Sequence, residues 1–190
     1  MGLFDFDNDG CKDLFFANSH FPQLNRYLGT DSELGNSLLR NLGDDRFADV
    51  SPGAGESFQA KALFRGAAFA DFDDDGRVDV VVSALNGPAK LFRNRTAGSG
   101  HWLAVKLFGT KSNRDGLGTR ISVTTPAGRK LYNHATTSVG YASSSEKLVR
   151  FGLGAEQAAA SIEVIWPSGR LQVLKDVAAD RIIEVREPAR

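Results

Sequence analysis

Asp5-Phe-Asp-Asn-Asp-Gly-Cys-Lys-Asp13-Leu-Phe-Phe-Ala-Asn18 returns further along the chain as Asp71-Phe-Asp-Asp-Asp-Gly-Arg-Val-Asp79-Val-Val-Val-Ser-Ala84. Each copy has an echo downstream, Leu38-Leu-Arg-Asn41 and Leu91-Phe-Arg-Asn94. The acidic pair is offset by 66 residues and the echo by 53, so the first copy carries extra residues, assigned to a turn-rich loop over His20–Asn36. A period of this kind marks repeat architecture. Short apolar runs flank the acidic clusters at Leu14–Ala17, Ala67–Ala70 and Val78–Ala84, too short for helices and bounded by Gly and Asp, so they read as strands.

Within each nine-residue cluster, aspartate stands at positions 1, 3, 5 and 9 and glycine at 6. Four like charges so close repel one another unless a cation or strong donors offset them. A hard cation such as calcium takes six to eight oxygen ligands at about 2.3–2.6 Å, and alternate side chains of a tight loop converge on one point. Gly10 and Gly76 permit the positive-φ turn that brings the carbonyl of Cys11 or Arg77 toward the ion. The expected ligands are Asp5, Asp7, Asp9, Cys11 and Asp13 in one loop, and Asp71, Asp73, Asp75, Arg77 and Asp79 in the other. That makes about two Ca²⁺ per chain. Magnesium suits the pattern less, since it prefers octahedral geometry and retains waters. An EF-hand needs Glu at position 12, where Phe16 and Val82 stand. Met1–Phe4 alone precedes the first loop, whereas the second follows a strand and has Asp74 where the first has Asn8, so the 71–79 loop is expected to bind more tightly.

After residue 100 the pattern is strand-like throughout. Trp102–Phe108, Arg120–Thr125, Lys130–His134, Lys147–Phe151, Ser161–Trp166, Arg170–Leu174 and Arg181–Arg186 are short strands separated by turn residues, the signature of a β-sandwich or small barrel. Ala155–Ala160 reads as a helical turn. Ala97-Gly-Ser-Gly100 reads as a flexible connection between a 1–97 repeat unit and a 98–190 domain expected to fold alone. The fold class is therefore all-β: two propeller-type repeats, a partial propeller, then a C-terminal sandwich.

Composition narrows the functional classes. The chain has 190 residues, 42% hydrophobic and 24% charged, which is ordinary for a globular protein. Its formal net charge is zero, but residues 1–100 balance at −5 and residues 101–190 at +5. The basic half has no stripe of Lys and Arg, so nucleic acid is not an expected partner. No apolar run is long enough to span a membrane, and no signal peptide precedes the first strand. Cys11 is the single cysteine, which excludes an internal disulfide. His20, His101 and His134 lack zinc-ligand spacing, and Ser143–Ser145 with His134 and Asp176 lack a nucleophile elbow. Gly116, Gly118, Gly152 and Gly154 open no helix after a strand, so they read as strand-end turns rather than phosphate loops. Asn94-Arg-Thr96 is a glycosylation sequon in a secretory context. No enzyme chemistry emerges.

The acidic repeats resemble FG-GAP/VCBS repeats, the calcium-binding blades of β-propellers related to integrin α-subunits. The 113–187 stretch resembles an ASPIC/UnbV domain through Asn113-Arg-Asp-Gly-Leu-Gly118, Gly140-Tyr-Ala-Ser-Ser-Ser145, Phe151-Gly-Leu-Gly154, Trp166-Pro-Ser-Gly169 and Glu187. Together they resemble the cartilage acidic protein family and its bacterial relatives. The resemblance implies a secreted or envelope-associated, calcium-binding adhesion or interaction module without catalysis, facing a protein or glycan partner. Propellers need more blades than two, so the chain is expected to belong to a longer protein or to self-associate through open sheet edges. The alternative is a lectin-like or polysaccharide-processing module that touches sugar through calcium or through Trp102 and Trp166.

Overall fold

The computed structural model describes residues 1–21, 27, 29 and 32–189; residues 22–26, 28, 30 and 31 of the loop assigned to His20–Asn36 lie outside them. The described ends of that loop are joined by a Ser19–Glu33 bridge and by the His20 amide donating to the Ser32 carbonyl. No helix among the described residues is long and apolar enough to cross a membrane.

The first repeat is an antiparallel sheet of β1 (Gly2–Phe4), β2 (Asp13–Phe16), β3 (Ser37–Asn41) and β4 (Phe47–Asp49), adjacent in that order. The second has β5 (Phe64–Ala70), β6 (Asp79–Ala84) and β7 (Lys90–Phe92). Each acidic loop is a hairpin connection held at the same register, with Phe4 opposite Asp13 and Ala70 opposite Asp79. Strand alternation sends Phe15, Phe69, Val80 and Val82 inward, where they meet Phe4, Phe58 and Phe64. Phe4 and Phe69 stack with centroids 4.9 Å apart, and Phe15 meets Phe69 edge-on at 5.9 Å. The two repeats thus close their apolar faces on one another, an arrangement worth several kcal/mol at roughly 1.5–3 kcal/mol per buried side chain.

The second half is a sandwich. One sheet has the order β10 (Lys130–His134), β9 (Arg120–Thr124), β12 (Ala158–Ile165), β13 (Leu171–Ala178). The other has β11 (Val149–Gly154), β8 (His101–Phe108), β14 (Arg181–Arg186), with β8 and β14 parallel. Between them lies a core of its own, including Leu103, Val105, Ile121, Val123, Phe151, Ile162, Val164 and Trp166. The helical turn expected at Ala155–Ala160 is not formed. β12 starts at Ala158, and Ala159 is fully buried opposite Val177, so core packing overrides alanine's helix preference.

Two clusters of family motifs have separate duties. At one end, Glu187 is 1% exposed and accepts the amides of Thr110, Lys111 and Ser112 and the hydroxyls of Ser112 and Ser168. Burial alone would raise its pKa. The Ser168 hydroxyl and the Ser112, Thr110 and Lys111 amides outweigh that and hold it well below the usual carboxylate range. At the other end, Gly140–Ser145 laces the sandwich to β5, where the Phe69 amide donates to Ser145 Oγ and the Glu146 amide to the Phe69 carbonyl.

The Ala97–Gly100 stretch is a fitted contact rather than a free connection. The Gly100 amide donates to the Asp7 carbonyl at 2.8 Å, and a Cβ on Gly100 would collide with the Asn8 carbonyl and Gly154. Glycine stands there for close approach, a role its sequence context does not distinguish from flexibility.

Candidate metal centre

Each acidic loop is organised by its own carboxylates. Asp5 Oδ1 and Oδ2 accept the amides of Asp9 (3.1 Å) and Gly10 (2.8 Å); Asp71 does the same for Asp75 (3.1 Å) and Gly76 (2.8 Å). Asp13 and Asp79, at 0% and 1% exposure, bridge the loop to the next strand. They accept the amides of Phe6 and Asn41 (3.0 and 2.8 Å) and of Phe72 and Asn94 (3.0 and 2.6 Å). Gly10 and Gly76 take φ of 86° and 85°, as the turn requires, and Asn8 and Asp74 take 56° and 57°, a region that Asn and Asp tolerate.

This lacing brings Asp5, Asp7 and Asp13 together in one loop and Asp71, Asp73 and Asp79 in the other, with one oxygen from each within 4.8 Å of its partners. Oxygens bound to a common ion at about 2.3–2.6 Å lie no more than about 5 Å apart, so an all-oxygen trio of this size fits calcium. Asp9 and Asp75 stand outside the trios. Asp9 Oδ1 accepts the Cys11 amide at 2.7 Å, and Asp75 Oδ1 accepts the Arg77 amide at 2.9 Å while pairing with the Arg77 side chain.

The structure adds residues that lie outside the aspartate motif. Arg40 and Arg93 each pair with the carboxylates at loop positions 3 and 5. Asn41 Nδ2 donates to the Lys12 carbonyl, and Asn94 Nδ2 to the Phe6 and Val78 carbonyls. Their signal was present as the Leu-x-Arg-Asn echo, which served only to mark the repeat.

The sandwich grips the first loop. The carbonyls of Asp7, Asn8 and Asp9 accept from the Gly100 amide (2.8 Å), the Gly154 amide (2.8 Å) and Arg129 Nη1 (2.6 Å). A Cβ on Gly152 would overlap the Asp5 carboxylate and the Asn8 backbone, so the Phe151-Gly-Leu-Gly154 motif is the floor on which this loop rests. The second loop meets the sandwich through side chains instead, by Arg150 Nη1 at 3.3 Å from Asp71 and by the Trp102 ring against Gly76.

Burial also acts on the charges of the first loop. Desolvation raises Asp5 to about 7 against the lowering effect of the Gly10 amide, with Asp9, Asp13 and Asp7 adding repulsion. Burial likewise raises Asp13 to about 6 and moves Asp7 upward despite Arg40. Burial lowers Lys12, whose Nζ donates to Asn133 Oδ1 at 2.7 Å, and raises the Cys11 thiol. An enclosed group of carboxylates that resist ionisation calls for a cation.

The tryptophans offer no paired sugar platform. Trp166 is 1% exposed, with Nε1 donating to Gln172, and half-buried Trp102 has its pyrrole edge against Gly76 and the Arg150 guanidinium 5.6 Å from its ring. Burial of Trp166 removes it from the alternative in which both rings touch sugar.

Two acidic-hairpin repeats joined to a β-sandwich define the class of protein: an all-β module of repeated acidic hairpins with a β-sandwich partner. Residues 5–82 match the family model described as FG-GAP-like repeat, and residues 109–190 match that described as ASPIC and UnbV. Along most of its length it is similar to cartilage acidic protein 1. It is 27% identical to the Mus musculus protein over 186 residues, covering 96% of this chain and 27% of that one. The Homo sapiens protein gives the same identity and coverage, and the Xenopus tropicalis protein is 28% identical over 172 residues, 88% of this chain and 25% of that one. The chain spans about a quarter of the length of these relatives.

Proposed function

We propose that the two acidic loops each bind one Ca²⁺, and that the chain is a non-catalytic interaction module of the extracellular or cell-envelope type. The metal is structural. It neutralises Asp5, Asp7, Asp9 and Asp13 in one loop and Asp71, Asp73, Asp75 and Asp79 in the other, with the Cys11 and Arg77 carbonyls completing the ligands. The observation that supports this reading most strongly is the convergence of two equivalent carboxylate trios within 4.8 Å. The similarity to cartilage acidic protein 1 supports the extracellular setting; a protein or glycan is the proposed partner.

Calorimetry on metal-free full-length chain tests it. About two Ca²⁺ should titrate, and EDTA should lower the melting temperature. Stabilisation of about 2.7 kcal/mol per site is expected at a hundredfold excess over Kd. A melting curve indifferent to both calcium and EDTA would contradict the proposal.

A further inference from the structure

We infer that Arg40 and Arg93 are built-in counter-cations that compete with the metal for the carboxylates at positions 3 and 5 of each loop. Divalent cation then binds fully only as the guanidinium gives way. This rests on the calcium reading above.

The two arginines occupy the same place in both repeats, one residue before Asn41 and Asn94. The amides of those asparagines donate to Asp13 and Asp79, so the backbone that carries each arginine is fixed beside its loop. From there Arg40 places Nε 2.7 Å from Asp7 Oδ2 and Nη2 3.5 Å from Asp9 Oδ2. Arg93 pairs with Asp73 and approaches Asp75 at 3.9 Å. A single guanidinium thus links the two carboxylates that an ion would also link, and the position-5 carboxylate it reaches is the one outside each trio.

The side chains are able to leave. Arg40 and Arg93 are 43% and 49% exposed, and both line one cleft of about 1120 Å³ between the repeats. Other cations near the loops differ between the copies. Arg77 and Arg150 serve only the second loop, and Arg129 reaches the Asp9 carbonyl rather than its carboxylate. What the repeats share is the echo arginine.

A counter-cation and a positioning residue predict opposite signs. Removing a positive charge beside the site strengthens attraction for Ca²⁺ while leaving the metal-free loop with uncompensated repulsion. Calorimetry with CaCl₂ and melting of the metal-free form, on full-length wild type, Arg40→Met, Arg40→Lys and Arg93→Met, separate the two. Arg40→Met should bind about tenfold more tightly at one site and melt lower without metal, and Arg40→Lys should remain near wild type. Arg93→Met should show the same signs at the more open loop, with a smaller gain, and it carries the test if Arg40→Met does not fold. Unchanged or weaker binding in the arginine-to-methionine variants, with wild type still taking two ions, overturns this inference alone. Absence of calcium binding in every protein, wild type included, overturns the calcium reading and this inference with it.

Discussion

The loops at 5–13 and 71–79 share their internal hydrogen bonds to within about 0.2 Å, yet they live in different surroundings. Asp13 and Asp79 are equally buried, but in the first loop Asp7 and Asn8 are buried as well and three successive carbonyls are held by the sandwich. In the second, Phe72 is 54% exposed and Asp73 and Asp74 face water. Repetition of sequence therefore dictates loop geometry, while the neighbours decide how far the charges are desolvated. It also reverses an expectation. Nearness to the chain end should leave 5–13 the poorly supported loop, but its support comes from residues more than 90 positions away. We predict that it is the tighter site, because less ordering accompanies metal binding there.

Gly152→Val strikes that difference hardest. Its side chain would intrude on Asp5 and the Asn8 backbone, so the first loop should lose its ion while the second keeps one. Overpacking costs about 1–3 kcal/mol, which lowers the melting temperature by roughly 2–4 °C per kcal/mol in a chain of this size. Calorimetry and a melting scan read both effects.

Asp5→Ala against Asp71→Ala comes next. Each should abolish one site, and Asp5→Ala should remove the larger share of calcium-induced stabilisation. Equal losses would mean that the grip of the sandwich contributes nothing to affinity.

Acidity should narrow the gap between the loops. Asp5 and Asp13 are raised from 3.8 to about 7 and about 6 by burial, so the folded metal-free chain keeps protons that the unfolded chain releases. Their contribution to metal-free stability is full below about pH 4 and is lost as pH rises through 6 and 7. Calcium needs the same groups ionised, so affinity at the first loop should fall as pH is lowered through that window. Titrations at about pH 7.5 and pH 5.5 check the sign. Cys11→Ser should change least, within about 0.5 kcal/mol, because the thiol accepts from Arg129 Nη2 at 3.4 Å and faces Asp9, both of which a hydroxyl also satisfies.

The strands and the acidic loops were legible because their signals are local. Lys130–His134 and Arg181–Arg186 form over the expected residues, since alternation and turn residues bound them closely. Ala158–Ala160 was not legible as strand, because only burial opposite β13 makes it one. The parallel partner of β14 was hidden, since alternation names a face and not a neighbour. At the site, the aspartates declared themselves by charge density. Arg40 and Arg93 did not, because an arginine next to an asparagine has no meaning until the fold brings it to Asp7 or Asp73. Gly152 and Gly154 read as turns, although at Gly152 the cause is the approach of another segment.

The most direct test follows the amide resonances of Gly10 and Gly76 in the full-length chain during a calcium titration. Both amides donate to the first aspartate of their loop, at 2.8 Å, so each reports its own site. The account predicts that both shift and saturate, Gly10 at the lower calcium concentration. If neither moved, the loops would not be calcium sites; if Gly76 saturated first, the sandwich's grip would not govern affinity.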